Sequence, residues 1–360
     1  MKIAFVYAGG REVRLEGARS GKVPTDFFYG ALELERLGHT ISVHDLNPRP
    51  SLFTDLLQSG LNGRLPPKTR VRDIAAALRL NRSLCDSDVV VATSSGAAFS
   101  LGFLKWLGLL KSDLLGIHCG IVNCEHSPRP RRAAATLLKT MRTVLFADNE
   151  ASEMRRQFEV EESWPLWFGV DESYWFPGAP GRSRSGVLAV GNDGRRDYKT
   201  LVAAAAMLPE TSFTIVTRAS LGDDLPRNVT HLLGDWKTEA ITDEALRELY
   251  RSAACVAVPL KESAQPSGQS VAMQAMMCGA PVVMTRTAGW WGADVLRTPA
   301  HLIAVPPGAP AALAAALRIA SQSCFEAREA LIEADWTIKG FARRLEMVAF
   351  GKRFSPENEE

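Results

Sequence analysis

Pro266-Ser267-Gly268-Gln269-Ser270-Val271-Ala272-Met273-Gln274-Ala275-Met276-Met277-Cys278-Gly279-Ala280-Pro281-Val282-Val283 decides the fold of this chain. It reads as a polar loop, a helix, a glycine stop and a buried strand. A Ser-Gly-Gln turn that opens a helix brings backbone N–H groups and the positive end of a helix dipole to one spot, which suits a phosphate. Gln274 lies about two turns into the helix, on a side that a ligand at the loop can share. The plainer alternative is an ordinary helix cap by Ser267 or Ser270.

Outward from that stretch, strands and helices alternate. Lys2–Tyr7 is an apolar run ending at the turn Ala8-Gly9-Gly10. Thr25–Leu37 reads as one helix stopped by Gly38, and Thr40–Val43 as the next strand. Asp88–Ala92 is another strand, ending in Thr93-Ser94-Ser95-Gly96, and Thr143–Ala147 a later one. The pattern restarts at Gly186–Val190, stopped by Gly191. Tyr198–Leu208 and Asp243–Ala253 read as helices. Phe213–Val216, Val229–Leu233, Ala254–Val258, Pro281–Thr285 and Leu302–Val305 read as strands. Such alternation predicts parallel sheets covered on both faces. The Pro/Gly/Ser-rich stretch between the two sets has no periodicity and reads as a linker.

The expected architecture is therefore α/β, with two Rossmann-like domains whose parallel sheets face a cleft. The boundaries are 1–176 for the first domain, 177–185 for the linker and 186–335 for the second domain. A helix in 336–360 carries Trp336, Phe341, Leu345 and Val348 at helical spacing, and so needs a surface to cover. Its last residues, Ser355–Glu360, read as a frayed end.

Composition narrows the function. The 360 residues carry a formal net charge of +2, which gives no case for nucleic acid. The six cysteines are scattered, mostly in apolar segments, and read as small buried hydrophobes in a reducing compartment. Met1–Tyr7 runs straight into a strand with no secretory signal ahead of it. Ala97–Gly116 is apolar but broken by Lys105, Lys111 and Asp113, against a spanning helix. The expected address is the cytoplasm.

Several segments together resemble family-four GT-B glycosyltransferases. The opening stretch resembles their donor-binding segment. Glu33–Val43 looks like their helix, Gly-His turn and second strand. Phe168-Gly169-Val170-Asp171 through Pro177 looks like the segment before their linker, with Phe168 replacing an Asn. Val190-Gly191 and Arg196-Asp197-Tyr198-Lys199-Thr200-Leu201 resemble their phosphate-facing pattern, and Leu302–Leu317 the segment after the donor loop. Two departures stand out: positions where the family often has glutamates carry Pro266 and Gln274. An amide at Gln274 still exchanges hydrogen bonds with ribose hydroxyls but lacks a carboxylate's charge.

The resemblance implies a retaining, hexosyl-type glycosyltransferase whose final helix crosses back onto the first domain. It implies a nucleotide sugar as co-substrate, and no metal or other cofactor. Arg196 takes the family's basic position, with a solvated surface charge as the alternative; Lys199 follows it, and its plainer reading is a surface residue. Ser267, Gly268 and Gln269 would hold phosphates through backbone N–H groups. Gly191, Thr217, Arg218, Asp235 and Trp236 end strands at the same edge and complete the expected donor site. Glu262, upstream in the loop, stands in for the first glutamate. Gly9, Gly10 and Arg11 form an expected acceptor or phosphate loop, where glycines permit close approach of backbone to ligand. His118 is expected to touch the donor sugar or handle a proton, with a structural histidine as the equal alternative.

His118-Cys119 and Cys124-x-His126 do not match a common zinc spacing, so no metal site is expected. Arg129, Arg131, Arg132, Lys139 and Arg142 surround the apolar stretch Ala133–Leu138. A solvated helix face is the plain reading; contact with the inner face of an anionic membrane is the functional one. Expected partners are the donor and a glycan, lipid-linked or small-molecule acceptor. The rivals are a nucleotide-sugar epimerase of the same fold and a non-catalytic nucleotide-sugar-binding protein. A Rossmann dehydrogenase is disfavoured, since no Gly-x-Gly-x-x-Gly follows Lys2–Tyr7.

Overall fold

The computed structural model describes residues 1–122, 126–160, 162–234, 240–292, 295–296 and 298–351. The chain divides into two compact units, Met1–Trp167 with Ile338–Glu360, and Phe168–Thr337. The division thus falls ahead of the expected linker at 177–185. Trp175 is fully buried against Tyr250, and Arg184 donates to the carbonyls of Tyr250 and Cys278, so this stretch packs on the second unit.

The first unit runs β1 (Lys2–Tyr7), α1 (Leu15–Arg19), α2 (Ala31–Arg36), β2 (Thr40–Asp45), α3 (Leu52–Leu61), α4 (Val71–Leu84), β3 (Val89–Ala92), α5 (Ser95–Trp106), β4 (Asp113–Ile117), α6 (Pro128–Leu138), β5 (Arg142–Leu145), α7 (Asp148–Phe158) and β6 (Ser163–Pro165). The second runs β7 (Val187–Val190), α8 (Tyr198–Ala206), β8 (Phe213–Thr217), β9 (Val229–Leu233), α9 (Asp243–Ser252), β10 (Cys255–Val258), α10 (Gln269–Met277), β11 (Val282–Thr285), β12 (Ile303–Val305), α11 (Pro310–Ala320) and α12 (Ala327–Glu333). The last helix, α13 (Ile338–Ala349), belongs to the first unit.

Among the described residues each unit holds one sheet of six strands, in the orders β2-β1-β3-β4-β5-β6 and β12-β11-β10-β7-β8-β9. All pairings between these strands are parallel. The inner strands are short apolar runs buried on both faces, as parallel strands under helices must be. The helices carry local start signals. Asp197 accepts the Thr200 N–H at the head of α8, and Thr242 accepts the Ala245 N–H at the head of α9.

The expected helix over Thr25–Leu37 is broken. A 3₁₀ turn covers Asp26–Phe28, then Tyr29 and Gly30 take left-handed conformations before α2 begins. The cause is α13: a Cβ on Gly30 would lie 2.9 Å from the Cα of Ala342. Tyr29 turns its ring toward Phe146 and Phe341. Glu346 of α13 reaches His39 at 2.7 Å, and Arg142 donates to the Ala349 carbonyl. Phe341, Leu345 and Val348 are buried in the first unit, as the spacing predicts. Trp336 instead precedes α13 and packs on Trp291 in the second unit.

Candidate functional site

In the second unit the chain leaves β7 for β8 on one side and reaches β10 on the other. Such a reversal of strand order opens a crevice at the carboxyl ends, where open α/β sheets bind ligands. A cavity of about 310 Å³ lies there. Gly191, Asn192, Gly194, Arg196 and Tyr198 supply its β7–α8 wall, Thr217, Arg218 and Ala219 the end of β8, and Lys261 the segment after β10.

Arg196 is 6% exposed. Its Nε donates to the Val190 carbonyl at 3.0 Å, and its Nη1 pairs with Asp193 at 2.7 Å. The guanidinium lies flat against Gly191; a Cβ there would come within 2.4 Å of Nε. Gly191 is therefore the price of a fixed cation at the strand end. The β7–α8 segment also pairs with the chain after β10. Arg196 bridges Leu260, and the Lys261 N–H donates to the Arg195 carbonyl. That pairing brings Lys261 to the cavity.

Asn192 joins three strand ends. Its Oδ1 accepts from the Arg218 N–H at 2.7 Å and from the Thr217 hydroxyl, and its Nδ2 donates to the Gly234 carbonyl. The Tyr198 hydroxyl donates to the Gly191 carbonyl at 2.7 Å, and the one hydrogen of the Thr217 hydroxyl is shared between that carbonyl, at 2.8 Å, and Asn192 Oδ1. Burial pushes the Tyr198 phenol up, so it stays a donor.

Of the expected donor residues, Gly191, Arg196, Thr217 and Arg218 meet at this cavity. Lys199 does not: it points to solvent from α8 and is absent from the lining, while Lys261 takes the place of a second cation. Asn192, Tyr198 and Lys261 escaped the sequence reading. The carboxyl-end rule applied to Ala254–Val258 was the signal for Lys261. Asp235 and Trp236 lie outside the described residues, as does Cys124.

Ser267, Gly268 and Gln269 stand where α10 begins. Gly268 caps the helix in a left-handed conformation, and a Cβ there would strike Val258 at 2.6 Å. The Ser267 hydroxyl is buried with no partner among the described residues. Gln274 is 5% exposed, and its Oε1 accepts from the Tyr250 hydroxyl at 3.4 Å, in the layer between α9 and α10. Glu262 is exposed; its Oε1 accepts the N–H groups of Ser263 and Ala288 at 2.9 and 2.7 Å. Its carboxylate thus braces two loops.

The first unit has a different strand order but a switch point of its own: β1 lies between β2 and β3, and a cavity of about 370 Å³ opens over the carboxyl ends. Gly9, Gly10 and Arg11 do not line it; from that turn Ala8 alone does. The physical reason is Asp45, which accepts the N–H groups of Arg11 and Glu12 at 2.9 to 3.1 Å, so a carboxylate already fills this amide nest. The Arg11 guanidinium lies over Phe27 and Phe28.

His118 follows β4 but turns into the core against Phe99, with neither ring nitrogen bonded among the described residues. Burial pushes its pKa down to about 3, with Lys68 adding to the shift, so the ring is neutral near pH 7. A neutral ring sealed from the cavity does not serve as the expected proton carrier. Glu150, in α7, accepts the N–H groups of Gly120 and Phe146, and burial pushes its carboxyl up to about 7.

The basic run divides as well. Arg129, Arg131, Arg132 and Lys139 are exposed, while Arg142 is engaged by Ala349 and Asp113. The apolar residues Ala134, Leu137 and Leu138 of α6 belong to the core. Among the described residues no helix is long and apolar enough to cross a membrane. Cys255 and Cys278 are buried, with thiols pushed up by burial, whereas Cys85 and Cys324 are exposed.

Comparison with known proteins agrees with this fold. Residues 185–322 match the family model of glycosyl transferases group 1. No curated protein matches the chain. Sucrose-phosphate synthase from Thermosynechococcus elongatus superposes with a TM-score of 0.68 at 16% identity, covering 98% of each chain. HepE from Anabaena in complex with UDP-glucose gives 0.67 at 16% identity, covering 98% of this chain and 100% of that one. AviGT4, a glycosyltransferase involved in avilamycin A biosynthesis, gives 0.60 at 15% identity, covering 98% of each. Residues 185–322 are thus similar to a group 1 glycosyl transferase domain, and the chain as a whole has the GT-B fold of two Rossmann-like halves.

Proposed function

We propose that this protein transfers a sugar from a nucleotide-sugar donor to an acceptor, with retention at the anomeric carbon. The donor binds in the crevice of the second unit and the acceptor on the first. The observation that carries the reading is the fixed Arg196 with Lys261 at the switch point of β7 and β10, inside the segment that matches glycosyl transferases group 1.

The chemistry needs what this crevice offers. As the bond from the anomeric carbon to the diphosphate breaks, charge grows on the phosphate oxygens. Cations and N–H groups already held in place stabilise that charge without reorganising. Arg196 is held by Val190 and Asp193, and Lys261 stands at the lip. The acceptor hydroxyl attacks on the face the diphosphate leaves, and its proton passes to a leaving phosphate oxygen. No carboxylate is assigned as a covalent nucleophile, since Glu262 braces backbone. The reading uses no metal, so treatment with EDTA is expected to leave activity unchanged. It places the enzyme in the cytoplasm, with Arg129, Arg131, Arg132 and Lys139 offering charge alone to an anionic membrane surface.

The test is calorimetric titration with UDP, GDP, ADP, TDP and their sugar conjugates. HepE is solved with UDP and with UDP-glucose, which puts uridine compounds first. One base is expected to bind selectively, and Arg196→Ala to weaken it by about tenfold to a hundredfold, as loss of a charged hydrogen bond does. No binding across the panel would sink the donor site. Slow donor hydrolysis without acceptor counts against a purely binding role. Proton NMR of the product's anomeric coupling decides retention.

A further inference from the structure

The cavity of the first unit is built for an anion. α5 is a helix of 12 residues whose first turn enters it. Ser94 caps the Ala97 N–H at 3.3 Å, while the N–H groups of Ser95 and Gly96 bond to nothing among the described residues. Ser95 is 4% exposed and lines the cavity, yet its hydroxyl has no partner among the described residues. A buried hydroxyl left unpaired is costly unless a ligand completes it.

Two cations and one carboxylate line the same space, Lys68, Arg70 and Asp73. Lys68 gives one hydrogen to the Cys119 carbonyl at 2.7 Å and retains two. Arg70 holds Asp73 through Nε and Nη2, leaving Nη1. Gly96 fixes the arrangement: a Cβ there would lie 2.9 Å from the Lys68 carbonyl oxygen, so the segment carrying both cations packs directly over the helix end. Across the cavity Tyr29 and Phe146 stack at 6.1 Å, a flat wall for a carbon skeleton.

We infer that this cavity binds a phosphate ester of a small hydroxylated molecule, with the phosphate on the N–H and hydroxyl of Ser95 and the N–H of Gly96, facing Lys68 and Arg70. Its role as acceptor rests on the glycosyltransferase reading; the binding itself does not. In that role the phosphate anchors the molecule and one of its hydroxyls attacks. The new bond joins that oxygen to the anomeric carbon, the bond to the diphosphate breaks, and the proton leaves on the diphosphate.

The test uses the whole protein without nucleotide. It is titrated with glycerol 3-phosphate, glucose 6-phosphate and glucose, and with phosphatidylcholine vesicles with and without phosphatidylinositol. A phosphate ester is expected to bind at least about tenfold more tightly than glucose, and Ser95→Ala and Lys68→Ala each to weaken it by about tenfold. Ser95→Ala is expected to unfold at the same temperature or higher, because it removes an unpaired buried hydroxyl. Vesicle binding that needs phosphatidylinositol and Ser95, without binding of soluble esters, makes the phosphate lipid-borne and keeps the class. Equal binding of glucose and its phosphate, no effect of either variant, or no binding at all overturns the inference. Phosphate-ester binding without any nucleotide binding would leave this site standing and remove the glycosyltransferase reading; the reverse pattern removes this site alone.

Discussion

Both units hold a six-stranded parallel sheet whose strand order reverses beside its first strand, and the crevices at these switch points are filled in opposite ways. In the second, Arg196 is already bonded to Val190 and Asp193, and Asn192 ties three strand ends together. In the first, the amide nest at Gly9–Glu12 is filled by Asp45, and the open donors lie one strand over, at Ser95 and Gly96. The reversal of strand order thus fixes where a ligand binds, while the side chains that reach the edge decide what binds. A preassembled cation suits charge that appears during a reaction. An unsatisfied hydroxyl suits an anion that arrives with its charge.

The largest effect is expected from breaking the first unit alone. Gly30→Val places a branched side chain at a φ of 79° and against the backbone of Ala342. Left-handed strain and overpacking together are expected to destabilise the first unit by about 4 kcal/mol. Urea unfolding with and without the bound nucleotide checks it. The comparison of two separate crevices survives if the nucleotide-protected transition stays in place while an earlier one appears. A single transition that moves as a whole would show that the two units unfold as one.

A smaller effect depends on pH. Glu150 has its carboxyl raised from 4.5 to about 7 by burial. Between those values the unfolded chain has released this proton and the folded chain has kept it, so raising pH favours unfolding across that window. His118 works the other way: its folded pKa is depressed from 6.5 to about 3, so it loses stability as pH falls through that range. The difference between wild type and Glu150→Gln isolates the carboxyl. Wild type is expected to lose about 3 kcal/mol relative to the variant from pH 4.5 to 7, with little change beyond. A difference that is flat with pH would mean that the amides of Gly120 and Phe146 hold the carboxylate ionised.

Much of this was legible in the sequence for a local reason. Buried parallel strands are short apolar runs, and runs such as Lys2–Tyr7 and Ala254–Val258 announce themselves. Strand β4 was hidden because Lys111 and Asp113 border an apolar stretch shared with α5. Strand β6 carries Ser-Trp-Pro at a sheet edge, without alternation. The break at Tyr29–Gly30 answers to α13, far along the chain, and no local pattern encodes it. The site divides in the same way. Arg196 and Gly191 sit inside a motif, so their positions could be named. That Asp45 fills the Gly9–Glu12 nest, or that the Lys68–Arg70 segment lies over Gly96, depends on elements brought together only by folding.

The smallest effect separates two lysines, Lys199, named from the sequence, and Lys261, which the fold brings to the cavity. Lys199 is on α8 and faces solvent; Lys261 lies after β10 and lines the cavity with Arg196. Lys261 is exposed, so its attraction to a diphosphate is screened, and Lys261→Ala is expected to weaken nucleotide binding only about fivefold, roughly 1 kcal/mol. The loss should shrink as salt rises, whereas the loss from Arg196→Ala should persist, because a buried guanidinium is screened far less. Lys199→Ala is expected to leave binding unchanged. Calorimetry of the three variants at low and high salt reads all of this at once. Equal losses at Lys199 and Lys261 would move the diphosphate toward the head of α8 and away from the paired segments of β7 and β10.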